Sequence, residues 1–254
     1  MTRHARLVTA GAITFLVFLV AGIPAAVGIG WLGPESLQWT GVSGSLWRGS
    51  AVGAEVGRLR LGETHWSLSP FSLLLGRLAG DVDTRIGDGT ASGHVAVTFS
   101  GAARCTECRY EGSVAALRTM LPALRNVDGT LSVEIAALDL SGKWPTRAVG
   151  TVRLSNVPIR LGGQPPGNEP VGAFEATITA DPVPENGLLE AAVRDTGGPL
   201  EMAARISIMP PGSFEFSGRA KAKPGAPPDI VDALAALGPR GSDGSTELGI
   251  SGTF

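Results

Sequence analysis

The chain has 254 residues, 43% hydrophobic and 17% charged, with a formal net charge of −2. That balance supplies a core and excludes compositional disorder, and a near-neutral chain lacks the basic face that nucleic acid requires of its main partner. The 36 glycines and 18 prolines follow no fixed period and fall at short intervals, as many strands joined by turns would require.

No charge lies between residues 7 and 34, while Arg3 and Arg6 precede the run and Glu35 follows it. About 20 helical residues cross roughly 30 Å of hydrocarbon. Residues 7–32 therefore predict one transmembrane helix, a signal anchor. Residues 1–6 form a cytoplasmic stub by the positive-inside rule, and Trp31 sits at an interface. The rival reading is a signal peptide cleaved near Ala25, Ala26 and Gly28, and both readings export the remainder. Gly22, Ala26 and Gly30 stand at four-residue spacing and predict a contact surface on the membrane helix, although Pro24 would kink that face. The G-x-G-x-x-G match at residues 28–33 follows no strand and runs into Pro34, so it is not a dinucleotide site.

From residue 40 onward alternation dominates, which predicts a β-rich domain over residues 40–254. Val95, Val97 and Phe99 alternate with His94, Thr98 and Ser100; Phe174, Ala176 and Ile178 with Glu175, Thr177 and Thr179. Leu200, Met202, Ala204, Ile206 and Ile208 form another such series, and Phe214 and Phe216 a fourth. A period of two means one buried and one wet face, which antiparallel sheets allow. The fold expected is mainly β: an antiparallel, curved or sandwich-like sheet with a few short helices. The phase slips near Asn156, where a bulge or corner is expected. Ser69-Pro70 opens a short helix through Leu74 and Leu75 that Gly76 closes. Ser113 precedes Val114, Leu117 and Leu121 at helical spacing. Pro228 starts a third helix with Ile230, Val231, Leu234 and Leu237 on one face and Gly238-Pro239 as its stop. Residues 162–170 and 221–227 read as loops. The second and third helices each lead to an Asp-Gly turn, Asp128-Gly129 and Asp243-Gly244, and then a strand, so two similar halves are expected.

The chemistry-bearing residues are sparse. His65 and His94 stand alone on strand-like segments, and solvated acids line the polar faces. No nucleophile elbow, P-loop or H-E-x-x-H pattern occurs. Cys105 and Cys108 form the one specific local feature. A redox pair needs a helix N-terminus in a βαβ setting, and zinc needs two further ligands. In an oxidising compartment a structural disulfide across a tight turn is the favoured reading. Its small loop would contribute on the order of 2 kcal/mol. A redox pair activated by Arg104 and Arg109, or free thiols, remain the alternatives.

Residues 41–51, Gly-Val-Ser-Gly-Ser-Leu-Trp-Arg-Gly-Ser-Ala, and residues 66–78, Trp-Ser-Leu-Ser-Pro-Phe-Ser-Leu-Leu-Leu-Gly-Arg-Leu, resemble protein N of the bacterial type II secretion system. The residues that carry the likeness are Gly44, Leu46, Trp47, Gly49, Trp66, Pro70 and Gly76. The resemblance implies a cytoplasmic stub, one inner-membrane helix and a β-rich periplasmic domain. It also implies a non-enzymatic part in exporting folded proteins, with other secretion subunits in the inner membrane as partners and no cofactor. Some members of that family are similar to AsmA-like proteins, so periplasmic lipid or lipopolysaccharide handling is the alternative function, with lipid as the alternative partner. Trp47 and Trp66 are expected in the core.

Overall fold

The computed structural model describes residues 11, 22–32, 37–56, 59–118, 127–142, 144–158 and 171–253. Among these residues fifteen strands form one antiparallel sheet. Its N-terminal end contains β1 (Leu37–Thr40), β2 (Ser43–Gly44), β3 (Arg48–Ala51), β4 (Gly53–Val56) and β5 (Leu59–Leu68). β3 and β4 lie in succession along β5, β2 pairs β3, and β1 pairs β4. From β5 onward every strand pairs the next in sequence: β6 (Arg77–Ile86), β7 (Gly89–Thr98), β8 (Ala103–Ser113), β9 (Thr130–Ser141) and β10 (Trp144–Pro158). The series continues through β11 (Val171–Ala180), β12 (Leu189–Gly197), β13 (Leu200–Met209), β14 (Ser213–Ala222) and β15 (Thr246–Thr253).

The sandwich alternative is therefore corrected to a single open sheet. Each strand from β5 onward turns back on its predecessor, and no strand crosses over to found a second layer. Among the described residues β1, the two-residue β2 and β15 each pair with one other strand, and β15 forms the edge at the C-terminal end.

Register ties the alternating residues into continuous rows. One row runs Ala91, Tyr110, Val133, Val152, Ala176, Val193, Ala204, Gly218 and Leu248, from β7 to β15. The next position along the strands gives the polar row Ser92, Arg109, Glu134, Thr151, Thr177, Ala192, Arg205 and Ser217. Tyr110, Leu131, Ala191 and Val193 are buried although no second sheet covers them, so the apolar face shelters its own side chains. The expected phase slip is present: the β10–β11 register shifts between Leu154 and Val157, and Asn156 has φ +54°. Without that bulge the apolar set would cross to the other face.

Helices close the ends of the strands. Pro228–Leu237 follows its predicted bounds and buries Ile230 and Leu234 against Ala220, Leu200, Met202 and Leu248, while Leu237 is exposed rather than part of the packed face. Val114–Leu117 packs into a cluster with Tyr110, Leu131 and Ile86, and the Ser113 hydroxyl accepts a bond from the Ala116 N–H. Its predicted continuation through Leu121 lies outside the described residues. The 162–170 loop lies outside them as well, and the 221–227 loop is shorter than expected because β14 runs through Ala222.

At the N-terminus the described part of the uncharged run is interrupted. Gly22 is in a turn, Ile23 is irregular, and Pro24 forms an antiparallel bridge with Ser45. A separate helix, Ala25–Leu32, begins after it. Proline disfavours helix in the residue before it and supplies no N–H, which accounts for the break. Residues 7–10 and 12–21 of the expected span lie outside the described residues. Among the described residues no helix is long and apolar enough to cross a membrane.

Candidate functional site

The motif residues of the two N-terminal stretches converge. Leu46 and Trp47 are buried in the turn before β3, and the Trp66 indole N–H on β5 donates to the Leu46 carbonyl at 3.0 Å. Trp66 meets Trp39 edge to face, ring centroids 5.6 Å apart. Trp66, Ala51 and Ala25 form one buried cluster flanked by Val42, Leu68 and Val82. Gly49 lies directly opposite Trp66 in register; a Cβ there would stand 2.4 Å from the indole ring. Gly44 has φ +87°, and a Cβ on it would meet the Arg48 carbonyl oxygen at 2.5 Å, so only glycine fits. The Leu46 N–H donates to the Ile23 carbonyl at 2.9 Å, and the Leu46 side chain packs where Gly28 leaves room. The motif is thus a lock that seats the helix Ala25–Leu32 on the sheet. Its tryptophans are core residues.

The second stretch forms the rim beyond the lock. Pro70 starts a 3-10 helix, Pro70–Leu75, with Ser69 extended before it and making no side-chain cap; Gly76, at φ +67°, ends it with its N–H on the Leu73 carbonyl. Phe71, Leu74 and Leu75 are 78%, 83% and 70% exposed. Phe99 joins them, 65% exposed, its N–H bonded to the Gly76 carbonyl at 3.2 Å. The alternation reading placed Phe99 in line with Val95 and Val97 on the buried face. β7 ends at Thr98 instead, and Phe99 occupies the hairpin turn that Gly101 closes at φ +87°.

Of the predicted helix-contact residues, Gly22 lies in the turn while Ala26 and Gly30 belong to the helix Ala25–Leu32, so the three do not share one helix. Cys105 and Cys108 come together as a close pair, their Cα atoms 6.0 Å apart. The setting differs from the expected turn between strands, because both lie inside β8. Glu107, at φ +53°, makes a bulge between them that brings both side chains to the apolar face, opposite Leu138 and Ile135. Arg104 lies on the other face, engaged by Asp139 through Nε at 2.6 Å and a second nitrogen at 3.1 Å. Its charge is therefore spent away from the sulfurs, which weakens the activated-thiol reading.

The polar face carries an ion network that alternation alone did not reveal. Glu175 on β11, its side chain 9% exposed, accepts from Arg153 Nε at 2.8 Å and Arg194 Nε at 3.0 Å; Arg153 also approaches Glu134 at 3.5 Å. The bond from Arg153 and then that from Arg194 hold the Glu175 carboxyl below its usual range. His94 contacts Asp81 at 2.9 Å and His65 contacts Glu63 at 3.1 Å, both pairs largely in solvent. Among the described residues no group of three His, Cys, Asp or Glu side chains could hold a metal.

Comparison with known proteins places this architecture. The family model for type II secretion system protein N matches residues 35–249. Type II secretion system protein N of Aeromonas hydrophila is 24% identical over 247 residues, 94% of each chain. Its namesake in Pectobacterium carotovorum subsp. carotovorum is 24% identical over 225 residues, 86% of this chain and 85% of the relative. That of Vibrio cholerae serotype O1 is 37% identical over 89 residues, 33% of this chain and 34% of the relative. No solved structure matches significantly. The match covers the motif lock, the 3-10 rim and nearly the whole sheet, and the chain belongs to the type II secretion system protein N family.

Proposed function

We propose that this chain, by family a component of the type II secretion system, acts without catalysis of its own by positioning other subunits through contacts made on its sheet. The observation that carries this is the free edge of β15, an eight-residue strand with one neighbour. The unpaired N–H and C=O groups of such an edge accept a strand from another chain. In this reading the anchor expected over residues 7–32 is confined to the part ahead of Gly22–Pro24, residues 1–6 face the cytoplasm, and residues 40–254 form a periplasmic domain of two similar halves. The uncharged run and the flanking Arg3 and Arg6 support that topology. Cys105–Cys108 acts as a structural disulfide. Photo-cross-linking in intact cells from Glu247 and Ser251 on β15 tests the edge. Capture of inner-membrane secretion subunits supports the reading, and capture of lipid alone overturns it.

A second reading has a specific observation behind it: the apolar row that runs unbroken from β7 to β15 with no second sheet over it. A continuous sheltered apolar surface fits acyl chains of a lipid or lipopolysaccharide. Native mass spectrometry of the full chain distinguishes the two, because only the second requires co-purified lipid.

A further inference from the structure

The exposed apolar rim has a position that the packing lock alone does not require. Two hydrogen bonds lead from the uncharged run to it: Leu46 N–H to Ile23 carbonyl at 2.9 Å, and Leu68 N–H to Trp47 carbonyl at 2.7 Å. Leu68 is the last residue of β5, and Pro70 begins the 3-10 helix. Phe71, Leu74, Leu75 and Phe99 therefore stand at the same end of the sheet as the point where the uncharged run joins it. The other two helices, Val114–Leu117 and Pro228–Leu237, close the opposite ends of the hairpins. Four large apolar side chains at 65–83% exposure form a patch, not scattered single residues.

Length gives the patch a reason. Ahead of the break at Gly22–Pro24 the uncharged run keeps only residues 7–21, fewer than the about 20 residues that cross a hydrocarbon core of about 30 Å. A span that short draws the attached rim down to the headgroup region. Charge agrees: residues 41–51 and 66–79 contain no acid, and their arginines, Arg48 and Arg77, form no ion pair among the described residues. Apolar side chains flanked by unpaired arginines suit a surface of acyl chains under anionic headgroups.

We propose that the 3-10 rim of Phe71, Leu74, Leu75 and Phe99 inserts into the lipid surface from which residues 7–21 emerge, fixing the tilt of the sheet on the membrane. This rests on the anchored topology proposed above. The occupant is the bilayer itself, with the exposed Arg48 available to its phosphates.

The test uses the full chain with Cys105→Ser and Cys108→Ser, reconstituted into vesicles that contain anionic lipid. A polarity-sensitive fluorophore is placed at Leu74→Cys or, as a control on the opposite rim, at Ala236→Cys. The expected result is flotation with the vesicles, blue-shifted emission at position 74 that lipid-borne quenchers extinguish, and water-like emission at position 236. Flotation with water-like emission at both positions would overturn the rim proposal and leave the anchor standing. A chain that does not float would overturn the anchor and the rim together. Emission at position 74 that turns apolar only when a secretion subunit is added would assign the rim to a protein partner and overturn the lipid assignment. Replacing Phe71 and Leu75 with Ser as well should abolish quenching at position 74 without changing flotation, because those side chains are mostly exposed.

Discussion

At the N-terminal end of the sheet, Trp66, Ala51 and Ala25 pack around a motif whose glycines leave no room for a side chain, while Phe71, Leu74 and Leu75 remain uncovered just beyond it. At the C-terminal end, the helix Pro228–Leu237 folds over Ala220 and Leu248 and buries Ile230 and Leu234. Both ends solve one problem, since a single-layer sheet must cover its apolar face. The C-terminal end does so with an ordinary amphipathic helix, whose requirement is only apolar volume at the right spacing. The N-terminal end does so with close backbone approach and an indole hydrogen bond, which depend on residue identity. Identity-dependent packing keeps a recognisable motif, and volume-dependent packing need not.

The largest expected effects separate these ends. Trp66→Ala should cost about 3–5 kcal/mol and release the helix Ala25–Leu32 to protease, since it removes both the ring and the bond to Leu46. Ile230→Ala should cost about 2–5 kcal/mol and leave that helix protected. Urea titration combined with limited proteolysis reads both, and equal cleavage in the two variants would break the distinction. Ser at both Cys105 and Cys108 should cost on the order of 2 kcal/mol in the same titration and leave secretion intact; a stable but inactive double variant would revive the redox reading.

Between the ends lies the Arg153–Glu175–Arg194 network. The Glu175 carboxyl is depressed in the folded state, so its contribution is present above the unfolded value of about 4.3 and is lost as pH falls through the folded one. Glu175→Gln should therefore lower thermal stability at neutral pH and flatten its decline below about pH 4, as calorimetry across pH can show. Leu74→Ser stands at the small end. Its side chain is exposed, so stability should change by less than about 0.5 kcal/mol, and a larger loss by chemical denaturation would mean that the rim packs against the sheet after all.

Much of this fold was legible because period two survives in a single sheet with one wet face. Ala176 and Ala204 alternate visibly with their neighbours, the slip at Asn156 announced its bulge, and Pro228 and Gly238 marked the third helix. Closure was not legible, because alternation reads the same in one open sheet as in two packed ones. Phe99 was misplaced for a local reason: the pattern Val-Ala-Val-Thr-Phe continues the alternation across the residue where the strand turns, and Gly101 was the signal against it. Placement of the cysteines inside one strand depended on Glu107 adopting positive φ, which Glu as a residue type does not advertise. The Glu175 network joins three strands, and no local spacing encodes such a meeting.

The proposed role of this chain is to serve secretion by positioning other subunits. It is tested most directly by deleting the gene and following a folded secretion substrate together with the lipid composition of the outer membrane. The substrate is expected to cross the inner membrane, accumulate in the periplasm and fail to reach the medium, while outer-membrane lipid stays unchanged. Normal secretion with altered outer-membrane lipid would contradict it and transfer the function to the apolar face of the sheet.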